Sequence, residues 1–198
     1  DAGELLPLYT ERANRQWLPP YLKETGGVVV CPSERLLREG KRFGERVEAV
    51  EVEKDEGIDI DDHFDWWMAE KSLRRRHICF HIVGNRELGL GHVHRTLTLA
   101  DRLIDHDLTF LCSKESQLAA DIVGQRFYPI EVAEPGHELE FLKKQHFDLV
   151  VNDILDTESS FIEELNSAGI TTVNFEDLGS GSLVCDFVIN EMYEAHPR

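Results

Sequence analysis

Six short apolar runs alternate with amphipathic helical patterns through the second half of the chain, and no other feature restricts its fold as much. The strand-like runs are residues 78–83, 108–112, 127–132, 149–152, 171–175 and 187–190, and the helical patterns between them are 93–106, 116–123, 138–146 and 160–168. In the first helical pattern Val93, Leu97, Ala100 and Ile104 share one face. Strands joined through helices are crossover-connected, which predicts a parallel sheet with helices on both faces. Residues 77–198 are therefore expected to form an α/β, Rossmann-like domain. Ligands in such folds bind in the loops after the strand C-termini, so chemistry is sought there.

Residues 1–76 are less regular. Gly26-Gly27 leads into Val28-Val29-Val30-Cys31, a run that predicts a buried strand. Ser33 to Arg38 predicts a short helix stopped by Gly40, and Val47, Val50 and Val52 suggest another strand. A helix is expected over residues 63–73, where Phe64, Trp67, Met68 and Lys71 fall at helical spacing and the aromatics read as core. Arg74-Arg75-Arg76 then suits a helix C-terminus, where positive charge meets the dipole, and marks the join between the halves.

Charge narrows the partners. The 198 residues carry 21 Lys+Arg against 38 Asp+Glu, a net charge of −17. The excess is uneven: net −4 over residues 1–76, from 13 basic and 17 acidic side chains, and net −13 over 77–198, from 8 and 21. Such a chain should neither bind nucleic acid electrostatically nor approach an anionic membrane surface. No apolar run approaches the ~20 residues a membrane span needs. The acidic surface fits an ordinary cytosolic protein and a salt-adapted one equally well. Cys31, Cys79, Cys112 and Cys185 form no C-x-x-C pair and no zinc spacing. They read as free thiols in a reducing cytoplasm.

The first candidate site is the loop Gly84-Asn85-Arg86-Glu87-Leu88-Gly89-Leu90-Gly91-His92-Val93-His94-Arg95, between the first strand and the first helix. Gly89 and Gly91 permit a tight turn and close approach of a ligand to backbone. The helix N-terminus offers unpaired N–H groups, and its dipole favours a neutral imidazole at His92, suited to accepting a proton. Arg95, one turn on, would hold a substrate anion or brace the loop. The pattern is neither G-x-G-x-x-G nor a P-loop, and read from glycines alone it is equally a plain turn with a capping or packing histidine. Asp153, Asp156, Glu176 and Asp177 lie at strand C-termini. Of these, Asp153 and Asp177 are candidate ligand contacts, with cap and turn roles as the alternative.

The strand, G-x-G-H-x-x-R and the helix opening Thr96-Leu97-Thr98-Leu99-Ala100 resemble the UDP-sugar hydrolase of the pseudaminic acid pathway and the related spore-coat polysaccharide biosynthesis proteins. Leu149-Val150-Val151-Asn152-Asp153 and Val173-Asn174-Phe175-Glu176-Asp177 extend the resemblance over residues 77–198. It implies the N-terminal half of a GT-B arrangement, two Rossmann-like domains facing across a cleft, with the UDP-gripping domain expected after residue 198. It also implies that His92 positions the water that attacks the anomeric carbon. This chain has Ile154-Leu155 where that hydrolase has His-Tyr.

The second candidate is Asp59-Ile60-Asp61. Carboxylates two apart on an extended segment face the same way and suit Mg²⁺ bound together with substrate phosphates. Alternatively Asp61 or Asp62 is the N-cap of the helix that follows. Gly27-Val28-Val29-Val30, Ile58-Asp59-Ile60-Asp61 and Asp65-Trp66-Trp67-Met68-Ala69-Glu70 are similar to the C-terminal part of the acylneuraminate cytidylyltransferases. That resemblance implies a partial α/β nucleotidyltransferase segment over residues 1–76, which makes CMP-sugars from CTP and a nonulosonic acid. It implies Asp59 and Asp61 as metal ligands. It also implies a homodimer through the segment Asn14–Pro20, with Arg12 or Arg15 reaching a substrate carboxylate across it. The family's glycine-rich CTP loop has no counterpart in these residues, so they are not expected to work alone.

Together the two resemblances imply part of a bifunctional protein of nucleotide-sugar metabolism, cytoplasmic, with CTP, a CMP-sugar and a UDP-sugar as ligands. The alternatives are a non-catalytic sugar-nucleotide-binding or assembly module and a GT-B glycosyltransferase.

Overall fold

A computed structural model of the chain describes residues 13–18 and 22–190. The chain divides into two units, Asp1–Ser72 and Leu73–Arg198, four residues before the boundary expected from sequence.

The second unit is an α/β, Rossmann-like fold. Its six strands are β1 (His77–Ile82), β2 (Asp107–Ser113), β3 (Ile130–Ala133), β4 (Leu149–Asp153), β5 (Thr171–Phe175) and β6 (Phe187–Ile189). All neighbouring strands are parallel, in the order β3-β2-β1-β4-β5-β6. The order reverses between β1 and β4, so the two connections leaving these strands diverge and open a crevice at their C-terminal ends. The helices of the unit are α3 (Gly91–Ala100), α4 (Gln117–Gln125), α5 (Glu138–Lys144) and α6 (Ser159–Ser167); α1 and α2 belong to the first unit. Alternation along β1 divides the core. Ile78, Phe80 and Ile82 pack with Val93, Leu97, Ala119 and Val123 of α3 and α4, while Cys79 packs with Leu142 and Leu165 of α5 and α6. Phe80 and Phe110 stack with centroids 5.1 Å apart at the centre of the first layer.

Two boundaries differ from the sequence pattern. The helix expected to reach residue 106 ends at Ala100, because β2 already starts at Asp107. The chain tightens through i→i+3 bonds from Arg102 and Leu103, which leaves Ile104 facing solvent. The strand expected from residue 127 starts at Ile130. Phe127 sits just past α4 with φ 62°, 94% exposed, in the left-handed position that ends many helices.

The first unit contains α1 (Ser33–Glu39), α2 (His63–Leu73) and a single 3₁₀ turn, Arg15–Trp17. Gly40, at φ 64°, ends α1 as expected. The strand readings at 28–31 and 47–52 are not met. Among the described residues of this unit nothing pairs as a sheet, and Val30 is 92% exposed. A strand needs a neighbour to satisfy its backbone, and β-branched composition alone does not provide one. The aromatics of α2 also depart from expectation. Trp66, Trp67 and Met68 occupy three consecutive positions, which point around the helix instead of along one stripe with Phe64, and all four are exposed.

Among the described residues no helix is long and apolar enough to cross a membrane. All four cysteines are free thiols; burial pushes the Cys79 thiol up, and that of Cys112 to about 11.

Candidate functional site

The β1–α3 loop is set by three local devices. The Asn85 side chain accepts from the Glu87 and Leu88 amides at 3.0 and 2.9 Å, turning the chain on itself. Gly89, at φ 82°, closes that turn with its amide on the Asn85 carbonyl at 2.9 Å. Gly84 lies so close to α3 that a Cβ there would meet Val93 at 2.7 Å. Gly91 opens α3, and His92 lies in its first turn, at the C-terminal end of β1.

Four side chains meet at the crevice. The His92 imidazole bonds through Nδ1 to Asp153 Oδ1 at 2.6 Å. Asp153 ends β4, beside Ile82 of β1, and is fully buried. Arg95, one turn after His92, grips the same carboxylate with Nε at 2.8 Å and Nη2 at 2.6 Å. Its guanidinium also binds Glu176, with Nη1 at 2.9 Å and Nη2 at 3.2 Å, and lies 5.0 Å from the centre of the Phe175 ring. The bond to Asp153 is the main reason that Arg95 is held even more firmly protonated than a free guanidinium. A carboxylate only accepts hydrogen bonds, so the proton between His92 and Asp153 resides on Nδ1. Arg95 Nη2 lies 3.4 Å from Nδ1 as a neighbour, its hydrogens being directed to the carboxylates.

This geometry sorts the residues read from sequence. His92, Arg95 and Asp153, 61 positions apart at the extremes, come together. Arg95 is occupied by two carboxylates, so of its two anticipated roles the structure shows the brace. Asp153 is inaccessible and orients His92.

Asp177 belongs to a different network, on the α5–α6 face. Register places His81, Asn152 and Asn174 side by side on β1, β4 and β5. His81 Nδ1 lies 3.2 Å from Asn152 Oδ1, and Asn152 Nδ2 donates to Asn174 Oδ1 at 2.9 Å. Asn174 Nδ2 reaches Asp177 at 2.6 Å and Thr157 Oγ1 at 3.0 Å. Asp177 also accepts from the Thr157 amide at 3.0 Å, the Thr157 hydroxyl at 2.6 Å and the Gly179 amide at 2.8 Å. Buried and accepting four bonds, Asp177 is a loop clamp in this structure. Sequence reading passed over His81, Asn174 and Thr157. Their signal was polar side chains in or beside strands otherwise built for burial.

In the first unit Asp62 is the N-cap of α2. Its Oδ1 accepts from the amides of Phe64 at 2.7 Å and Asp65 at 3.0 Å, and Asp65 answers by accepting from the Asp62 and Asp61 amides at 3.2 and 3.1 Å. Asp59 and Asp61 are exposed, and among the described residues nothing donates to either carboxylate. Among those residues no cluster of three or more His, Cys, Asp or Glu is placed to hold a metal. Two carboxylates would in any case be fewer than the six oxygen ligands Mg²⁺ takes, so a metal there would need phosphate or water as well. Arg12 and the side chain of Arg15 lie outside the described residues.

No protein-family model matches this chain, and no curated protein matches it.

Two predictions follow from the networks. Burial pushes the His81 imidazole down to about 4, against the opposing effect of its hydrogen bond to Asn152 Oδ1. The unfolded chain titrates near the ordinary ~6.5, so between these values it binds a proton that the folded protein excludes. Stability is then complete above about pH 6.5 and falls by on the order of 3 kcal/mol as pH drops toward 4. His81→Gln should flatten that part of the profile in denaturation followed by far-UV circular dichroism; an unchanged slope would assign the loss to other groups. Separately, Asp62→Ala should destabilise α2 by about 1 kcal/mol, while Asp61→Ala should cost little. All three tryptophans, Trp17, Trp66 and Trp67, lie in the first unit, so tryptophan fluorescence reads this difference directly.

Proposed function

We propose that the second unit handles a nucleotide-sugar and that His92 is its general base. The observation that carries this reading is the His92–Asp153 pair at the switch point of the sheet. Asp153 fixes the imidazole through Nδ1, so Nε2 would be the nitrogen that accepts a proton. The resemblance to UDP-sugar hydrolases gives the reaction class. Water loses a proton to Nε2 while its oxygen bonds to the anomeric carbon. The bond from that carbon to the phosphate oxygen breaks, and UDP leaves. Arg95 and Glu176 hold Asp153 and the β5 loop in place during this step.

For the first unit we propose the metal end of a cytidylyltransferase site. Asp59 and Asp61 would share Mg²⁺ with the phosphates of CTP, and the rest of the nucleotide site would come from the CTP-binding loop that residues 1–76 lack. The chain then represents two steps of one cytoplasmic nucleotide-sugar pathway, with a homodimer through the N-terminal segment. Asp62, not Asp61, carries the helix cap, and this leaves Asp61 available for the metal. Asp61→Ala should therefore abolish Mg²⁺-dependent CMP-sugar formation in the complete enzyme with near-normal stability. Wild-type transfer by that variant would remove the metal assignment.

The second unit is tested by His92→Asn. Asn matches the reach of Nδ1 but has no basic nitrogen, so melting and UDP-sugar binding should stay near normal. UDP release should fall by about 10²–10⁴-fold. Wild-type turnover in the variant would make His92 structural. A wild-type protein that binds UDP-sugar without releasing UDP would instead be a sugar-nucleotide-binding module. Release of UDP only when a sugar acceptor is added would identify a glycosyltransferase.

A further inference from the structure

We infer that the first unit holds a binding site for a phosphate monoester with a flat apolar body, separate from both sites described above. A cavity of about 340 Å³ lies between the segment after Gly27 and the segment after α1. Arg35, Arg42 and Arg46 line it together with a single acid, Glu45, and its apolar wall includes Val30 and Phe43. The lining therefore carries a net charge of +2 in a chain of net −17. The local sequence shows the same bias: residues 35–46 contain five basic and two acidic side chains.

The arginines are not spent on internal pairing. Arg35 makes one long contact to Glu39, at 3.5 Å, and lies flat against Gly44, where a Cβ would come within 3.1 Å of its guanidinium carbon. Among the described residues Arg42 and Arg46 have no carboxylate partner. Arg42 instead lies over the Phe43 ring, 5.7 Å from its centre. This contrasts with Arg95, which two carboxylates hold. Three arginines lining one cavity against a single acid suit a doubly charged oxyanion, which guanidinium groups bind through paired N–H donors. Phe43 and the valines offer a surface on which a planar apolar group can lie. The cavity volume falls at the small end of ligand sites, enough for a nucleoside monophosphate or a compound of that size. Its lining, within residues 29–47, includes neither Asp59 nor Asp61, so this site stands or falls independently of the metal proposal.

Isothermal titration of the full chain with adenosine 5′-monophosphate at low salt tests the inference. The monophosphate should bind and adenosine should not, and added salt should weaken binding. Arg42→Gln/Arg46→Gln should weaken it at least about tenfold, with unchanged melting because both arginines are exposed. Glu45→Gln should tighten it, an effect that misfolding cannot mimic. His92→Asn should leave it unaltered, which separates this site from the crevice in the second unit. No binding at millimolar monophosphate, equal binding of adenosine, or full binding by the double arginine variant would each overturn the proposal.

Discussion

A carboxylate with no exposure to solvent must be compensated from within the protein, and Asp153 imposes that requirement on everything around it. Desolvating an unpaired carboxylate costs several kcal/mol, so the loops that meet there must deliver donors. The start of α3 delivers two, His92 and Arg95, one helical turn apart. The β5 loop delivers Glu176, which secures the far side of Arg95. Each bond is easy to rationalise once Asp153 is buried. Without a buried carboxylate at the end of β4, nothing would fix the His92 ring or explain why Arg95 turns inward toward two acids.

The alternation of a strand places a second polar network directly behind the first. Asn152 and Asp153 are consecutive, so their side chains leave β4 on opposite faces. Asp153 meets α3, whereas Asn152 joins His81 and Asn174 beneath α6. Glu176 and Asp177 repeat the division one strand over, and there the backbone records the cost. Glu176 adopts φ 50° and Leu155 φ 75°, each in the left-handed region that disfavours side chains by on the order of 1 kcal/mol or more. Among the described residues the other two non-glycine positions with positive φ, Phe127 and His146, follow α4 and α5 and are explained by helix termination. No helix ends at Glu176 or Leu155. They follow directly on the strands that carry the two networks, where the buried bonds to Asp153 and Asp177 offset the strain. A crevice braced from both faces has little freedom to rearrange, and the His92 ring is held in one orientation by its bond to Asp153.

Much of the second unit was legible because its central strands β1, β2 and β4 are largely buried on both faces and its helices on one, so burial writes the period into the sequence. The loop containing His92 could be placed for the same reason, since a strand-to-helix junction fixes which sheet edge it occupies. Partnership was harder to read. Arg95 looks like an anion-binding arginine until the two carboxylates, 58 and 81 residues away, are seen to take it. Asp177 reads as a ligand contact or a turn residue until register brings Asn174 and Thr157 against it. Spacing in sequence carries local geometry, but hydrogen-bond saturation depends on contacts across strands.

The first unit shows the converse. Val28-Val29-Val30 and the aromatics of α2 have strand and core composition, yet none of the described side chains before residue 73 is buried. Apolar content is a tendency to be covered, and which surface covers it is a property of the whole assembly. The same logic runs in the opposite direction for charge. In the second unit the buried carboxylates are matched within the unit, and the sites there are defined by internal pairing. In the first, Asp59, Asp61, Arg42 and Arg46 are exposed and, among the described residues, have no charged partner. The divalent cation and the phosphate proposed above as ligands would supply the opposite charge that those residues do not.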